Sequence, residues 1–468
     1  MRLSHAAART HATFDDEHVI AHSGLVPVMR LAERCGLGDL AGEHLRAAGP
    51  CGAGVGAKVA SIVAGMAAGA DSIDDLDVLR HGGMTKVFHD VRAPSTLGSF
   101  LRALNWGNVR QLHKTGRELL IRLAAHTPLL PGAGTLAFVD VDSMQRRVFS
   151  AAKQGAGFGH TKIGGKNLLV RGLNTLAATV STPLAAPVIA ATRLRGGTAS
   201  SARGAATLIA EAIGTTRACG ASGLLIMRGD SAFYSAKTIA ACRRSGACFS
   251  VTAKMDPKIK AAIAQIPDNA WTPIKYPNAV FDEQAGRWVS DAEVAETPYT
   301  AFSSKKNQAV TARLIVRRVR RLNPKAAGGQ DELFDLWRHH AVFTDSPFEM
   351  LQAEAQHRDH AGAIEHAFAD LTDGPLAHLP SGVFTANAAW LTCAAITHNL
   401  LRAAGTLASA FHAKARGATL RRHLIGVPAR IARHGRGHLT LHLPEHWPWA
   451  PAWRAVFNSL HPPPAAAA

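Results

Sequence analysis

The chain has 468 residues, 47% of them hydrophobic, with 52 Lys and Arg against 34 Asp and Glu. That length exceeds one ordinary core, so two or three structural units are expected, and the hydrophobic fraction excludes wholesale disorder. A formal net charge of +18 favours a polyanionic partner, nucleic acid before an acidic membrane face, although Arg bias in a GC-rich genome gives the same surplus.

The cysteines, Cys35, Cys51, Cys219, Cys242, Cys248 and Cys393, contain no CxxC pair, which argues against a zinc ribbon or a disulfide scaffold. The opening MRLSHAAARTHATFDDEH predicts no signal peptide. Of the two long apolar stretches, 56–70 is short and Gly-broken, and 383–411 carries Asn387, His398, Asn399 and Arg402, so no membrane span is expected. A cytoplasmic protein follows as the expectation.

From about Asp15 to His126 the apolar spacing is helical. Leu25, Val28, Met29 and Leu31 mark a first amphipathic helix, Ser72 is read as opening another, and Pro94-Ser95-Thr96 as a further helix entry. Thr135 to Val139 then reads as a strand that runs into Asp140-Val141-Asp142-Ser143 and ends there. Residues two apart on a strand point the same way, so Asp140 and Asp142 share a face. Residues 153–167 are rich in Gly and Lys, including Lys162 and Lys166, and suit a flexible basic loop against phosphates, with a plain hairpin as the alternative.

Two more strands, 168–178 and 188–195, and a helix from Ser200 to Ile213 lead to the stretch LLIMRGDSAFY, residues 224–234. Its uninterrupted apolar run reads as a strand buried on both faces, ending at Asp230. An acid there points into the crevice beyond the sheet edge, while the plainer reading is an N-cap on the helix starting near Ala232. Helix 235–245 and strand 248–254 complete a β-β-β-α-β-α-β order, the order of an RNase H-like fold. Residues 256–346 alternate β-branched and aromatic runs with polar turns and read as a β-rich insertion. It holds the densest basic cluster, Arg313, Arg317, Arg318, Arg320 and Arg321. Helices return at 349–368, carrying Arg358, His360 and Glu365, and at 384–410. A hairpin-like stretch, 438–443, precedes a tail, PPPAAAA, read as disordered.

Asp140 or Asp142, Asp230 and Glu365 are hard oxygen donors of the kind Mg²⁺ takes, and phosphodiester chemistry uses two such ions with an acid between them. A basic chain carrying these acids fits a nuclease or a strand-transfer enzyme. Trp271 and Trp390 are candidates for stacking on an unpaired base, with core packing the favoured reading. His339, His340 and His378 fit no zinc motif and read as structural or solvated.

A run of ordered motifs resembles the DDE transposases of bacterial insertion sequences, in particular insertion-sequence family thirteen-eighty. The motifs are STLGSFLRALNWGNVRQL, DVDS, RLRGGTAS, MRGDSAFYS, HRDHAGAIEHAFADL, GPLAHLPSGVFTANAAW and RHLIGVPARIARHGRGHLTLHLPEHWPW, spanning roughly Pro94 to Trp449. The resemblance implies an RNase H-like core interrupted by a β-rich insertion, two Mg²⁺ ions for which Mn²⁺ substitutes, and cleavage with strand transfer at element ends. It implies double-stranded DNA as partner, terminal inverted repeats and target alike, and a homodimer in the synaptic complex of a nucleoid-associated protein. By position the metal ligands are Asp142, Asp230 and Glu365, with Asp140 a close second for the first. Lys162, Lys166, Arg228, Arg313, Arg317, Arg318, Arg320, Arg358 and His360 are the candidate DNA contacts, Arg228 being equally suited to an ion pair that steadies the strand end. The chain departs from the family's Tyr-Arg-Glu-Lys signature: His357 replaces the Tyr, His360 lies near the Arg, and Thr372 stands where a Lys is usual.

The expected organisation is α/β: a helical N-terminal DNA-binding domain over 1–130 and the first part of the catalytic core over 131–255. The insertion occupies 256–346, the rest of the core with the Glu helix 347–412, and a basic C-terminal segment 413–468. The alternatives are a defective copy that only binds DNA, and a nuclease of the same fold that never joins strands.

Overall fold

The computed structural model describes residues 11–163, 166–277, 279–284, 286–304, 307–320, 337–435 and 438–461. Arg321 and the PPPAAAA tail lie outside the described residues, as does the side chain of Lys162.

The central strand is β1, Leu136–Arg147, in which Ala137 to Val141 are all buried. That stretch is buried on both faces, and the strand has a neighbour on each edge. Two hairpin strands follow, β2 (Gly157–Ile163) and β3 (Lys166–Thr182), and then β4 (Ala185–Arg195). β1 pairs antiparallel with β3, which pairs antiparallel with β4. On its other edge β1 runs parallel to β5 (Leu224–Gly229), and β5 runs parallel to β6 (Cys248–Thr252). The spatial order β4-β3-β1-β5-β6, an antiparallel meander beside two parallel strands, is the RNase H-like arrangement.

The β-rich stretch lengthens this sheet from its far edge. Strands β7 (Thr272–Pro273), β8 (Ala292–Ala301), β9 (Val310–Arg320) and β10 (Trp337–Thr344) join it through β10, which pairs with β6. The described sheet has ten strands. Two expectations change here. The Gly- and Lys-rich stretch is mostly hairpin, with β2 paired to β3 from Gly157↔Gly172 to Ile163↔Lys166. β1 does not end at its acids but continues through Arg147, because β3 pairs with it that far.

Helices cover the sheet. The first to matter is α1, Trp106–His126, which starts where Asn105 and Asn108 exchange side-chain-to-backbone bonds of 3.0 and 3.1 Å, a reciprocal cap. Next come α2 (Ala205–Ala218) and α3 (Ala236–Arg244), joining β4 to β5 and β5 to β6. Three late helices follow: α4 (Met350–Arg358), α5 (His360–Thr372) and α6 (Phe384–Ala408). The single helix expected over 349–368 is thus broken at Asp359, where the His360 ring donates to the His357 carbonyl at 2.6 Å and occupies an acceptor of the helical ladder. Ser72 opens no α-helix; its hydroxyl donates to Asp75 at 2.8 Å ahead of a 3₁₀ run, Asp74–Arg80.

Helix α6 is Ala- and Leu-rich and buried nearly all round. It lies between the N-terminal helices and β4, so one continuous core runs from Leu25 through the sheet to Leu460. Its polar interruptions are structural. Asn399 bridges the N–H and C=O of Ile189 at 2.8 Å each, and His398 Nε2 donates to the Pro187 carbonyl at 3.0 Å. Trp390, fully enclosed, donates to the Pro375 carbonyl at 2.6 Å, so core packing is its role. Near the C-terminus, Ala429–Arg433 pairs with both Leu439–His442 and Val19–Ile20, tying the two ends of the chain. Among the described residues no helix is long and apolar enough to cross a membrane.

Candidate active site

The parallel register of β1 and β5 aligns Asp140 with Arg228 and Val141 with Gly229. The pairing ends there: Asp142 continues β1, and Asp230 follows the last residue of β5. Asp142 is half-buried and accepts the Ser143 N–H at 2.6 Å. The Ser143 hydroxyl bonds that of Ser201 at 2.8 Å, holding this part of β1 against the loop that enters α2. Asp230 is exposed, and one of its oxygens accepts the Ala232 N–H at 2.9 Å, capping the 3₁₀ turn Ser231–Phe233. The cap and a ligand role are compatible, because the cap occupies a single oxygen and orients the other.

Asp140 is fully buried, and its two oxygens take Arg228 Nε and Nη2 at 2.6 and 2.7 Å. The third arm of the guanidinium donates to the Gln356 carbonyl at 2.6 Å, and its plane lies 3.8 Å from the Phe138 ring centre. Both oxygens of Asp140 are thus engaged in an interior ion pair, and of the two readings of Arg228 the pair that steadies the strand end is the one seen.

Helix α4 is held on the sheet by polar contacts. Beyond Gln356, the His357 ring bonds the Ser250 and Thr252 hydroxyls on β6 at 2.9 Å each, and buried Glu354 pairs with Arg317 on β9. The Tyr-to-His departure noted in the sequence is therefore a structural clamp. Burial first, then nearby His360 and Arg228, keeps His357 well below its ordinary 6.5, and burial with Arg193 and Arg110 pushes His113 down to about 3. Both rings stay neutral in the fold yet take up protons near pH 6.5 once unfolded. Their stabilisation is complete above that pH and is lost as pH falls below it, at up to about 1.4 kcal/mol per unit for each ring. The melting temperature is expected to fall steadily as pH is lowered below 6.5, and His357→Gln, which still donates and accepts, to flatten that fall.

Glu365 lies on α5, whose buried face of Ile364, Ala367, Phe368 and Leu371 packs on β1, β3 and β4. The carboxylate itself is exposed and has no hydrogen bond or ion pair among the described residues. The fold thus sets the Glu helix on the strand that carries Asp142. Among the described residues, however, no three His, Cys, Asp or Glu side chains stand close enough to hold a metal ion.

The basic candidates divide. Arg313 reaches Glu296 at 2.6 Å, Arg318 reaches Glu293 at 2.6 Å, and Arg317 pairs with Glu354. The cationic DNA-lining face expected of Arg313, Arg317 and Arg318 is thus largely neutralised by acids on β8 and α4. Arg318 also lies over Trp271 and Trp337, and Arg320 over Trp337, so Trp271 stacks on a cation. Lys166 and Arg358 are exposed, and His360 is half-buried against His357. Thr372 ends α5 with its hydroxyl donating to the Ala369 carbonyl at 3.2 Å.

Reasoning from sequence passed over Asp370. Its Oδ1 takes Arg416 at 2.6 Å and the Gly417 N–H at 2.9 Å, locking the C-terminal segment onto α5. Its place on the inner face of the Glu helix was the available signal.

A family model described as transposase DDE domain group 1 matches residues 4–465. The chain belongs to that family and is a DDE transposase; members act on DNA as metal-dependent enzymes. No curated protein matches it.

Proposed function

We propose that this protein cleaves the ends of an insertion sequence and joins the freed strands to target DNA, using Asp142, Asp230 and Glu365 as ligands for two Mg²⁺ ions, with Mn²⁺ as a substitute. The observation that carries the reading is that Asp142 and Asp230 each stand one residue beyond the last parallel pair of β1 and β5, on a sheet that α5 packs against with an exposed Glu365. Carboxylate oxygens are the donors such ions take. The ions would supply charge neutralisation at the phosphate and an activated oxygen nucleophile.

The chain's own groups do the rest. Asp142 and Asp230, set by the register of β1 and β5, fix where the scissile phosphate sits. Glu365 completes the set when DNA draws α5 inward, which accounts for acids not yet gathered. Water adds to phosphorus at the element end, the bond to the 3′ oxygen breaks, and a 3′-hydroxyl is released. That hydroxyl then attacks a second phosphodiester, in target or opposite-strand DNA, expelling a new 3′-hydroxyl. Lys162 and Lys166 on the β2–β3 hairpin, with Arg358 and His360 beside the Glu helix, contact the backbone. Residues 1–130 bind the terminal repeat, and a homodimer pairs the two ends in the cytoplasm, at the nucleoid. The ordered motifs quoted above support placement in insertion-sequence family thirteen-eighty.

The competing reading, a copy that binds DNA without reacting, is favoured by Thr372 at the usual Lys position. Incubating the protein with pre-nicked element ends, target DNA and Mg²⁺ separates the two. Joined products are expected; binding without product supports the inert copy, and hydrolysis without joining a plain nuclease.

A further inference from the structure

A cavity of about 300 Å³ opens at the outer edge of β4, walled by α1, α2 and α6. β4 has a strand partner on one side alone among the described residues, so its other edge offers backbone donors and acceptors. Asn399 occupies that edge at Ile189, and the register slips by one residue at Ala190, a bulge beside the cavity. The buried lining, which forms the floor, sets Ile189, Ala190 and Ile396 beside Thr192, Thr392 and Asn399.

The mouth is cationic. Arg110, Lys114 and Arg117 are spaced four and three apart, which sets them on one face of α1, and all are exposed. Arg110 and Arg117 have no acidic partner among the described residues, and Lys114 lies 3.7 Å from Glu118. Also in the lining, Arg193 grips both oxygens of Glu211 at 2.6 and 2.5 Å and meets His113 Nδ1 at 2.9 Å. A guanidinium only donates, so Nδ1 accepts and the ring proton sits on Nε2. His113 lines the cavity, stays neutral, and its Nε2–H has no acceptor among the described residues.

We infer that this cavity is a nucleotide site, with the base against Ile189 and Ile396, His113 Nε2–H and the β4 edge bonding its polar rim, and the phosphate on Arg110 and Arg117. The volume lies at the small end of ligand sites, and inorganic phosphate alone would leave the floor bare. The acids of β1, β5 and α5 take no part in it, so it stands or falls apart from the DNA chemistry. A free mononucleotide and the 5′ end of a single strand present the same group, and the experiment tells them apart.

Fluorescence anisotropy of the full chain with mant-AMP, and with a 3′-labelled, 5′-phosphorylated trinucleotide, is the test. At least one probe is expected to bind. Displacement of mant-AMP by AMP identifies a free nucleotide, and binding of the phosphorylated trinucleotide without AMP binding identifies a strand end. Arg110→Ser with Arg117→Ser should weaken the bound probe at least about tenfold, the loss of about 1.4 kcal/mol or more of phosphate contact, and leave adenosine unaffected. Ala395→Phe, which fills the cavity from α6, should abolish binding altogether. Because that change risks the fold, the surface pair carries the test by itself. Failure of both probes to bind, or binding indifferent to the paired Arg substitution, overturns the assignment.

Discussion

Asp230→Asn is expected to lower metal-dependent cleavage of element-end DNA by roughly a thousandfold, since a lost ligand forfeits several kcal/mol of charge stabilisation at the reacting phosphate. DNA binding should persist. The substitution is mild for the fold, because the Asn oxygen still accepts the Ala232 N–H that Asp230 accepts at 2.9 Å. Asp142→Asn keeps an oxygen to take the Ser143 N–H. Glu365→Gln alters an exposed group with no partner among the described residues and so costs no stability. Three changes that leave folding intact and remove cleavage together would mark the acids as one set. A cleavage assay alongside gel-shift binding reads both quantities, and near-normal cleavage by Asp230→Asn contradicts the assignment.

Arg228→Met should destabilise the protein by about 3–5 kcal/mol, the cost of stranding a buried carboxylate without its partner. Asp140 is fully enclosed and both its oxygens are held by this one guanidinium. Combining Asp140→Leu with Arg228→Met should recover most of that loss, since an apolar pair of similar bulk needs no counter-charge. Chemical unfolding gives the stabilities. The double variant also separates the two acids of β1: with Asp142 as the ligand it retains metal-dependent cleavage, whereas with Asp140 as the ligand it has none.

That pair shows where reading the chain alone stops. Strand alternation puts Asp140 and Asp142 on one face, and nothing local distinguishes them. The distinction comes from the register with β5, which brings Arg228 beside the first and ends before the second. Register depends on residues some ninety positions away, which local pattern does not carry. The β5 strand itself was legible because an apolar run buried on both faces has few other homes, and the N-cap alternative for Asp230 also holds. The basic cluster on β9 misled for the opposite reason. Its acids, Glu293, Glu296 and Glu354, lie far along the chain and pair with it only across strands and onto α4. The break at Asp359 was hidden because a ring-to-carbonyl bond one turn back makes it, not a Gly or Pro.

The convergence of Glu365 on Asp142 and Asp230 in the DNA complex is tested most directly by substituting Fe²⁺ for Mg²⁺ and letting ascorbate and peroxide cut the polypeptide beside the bound ion. Cuts beside Asp142, Asp230 and Glu365, all dependent on element-end DNA, are the predicted result. Cuts that spare α5 with DNA bound, or that fall elsewhere in the chain, contradict it.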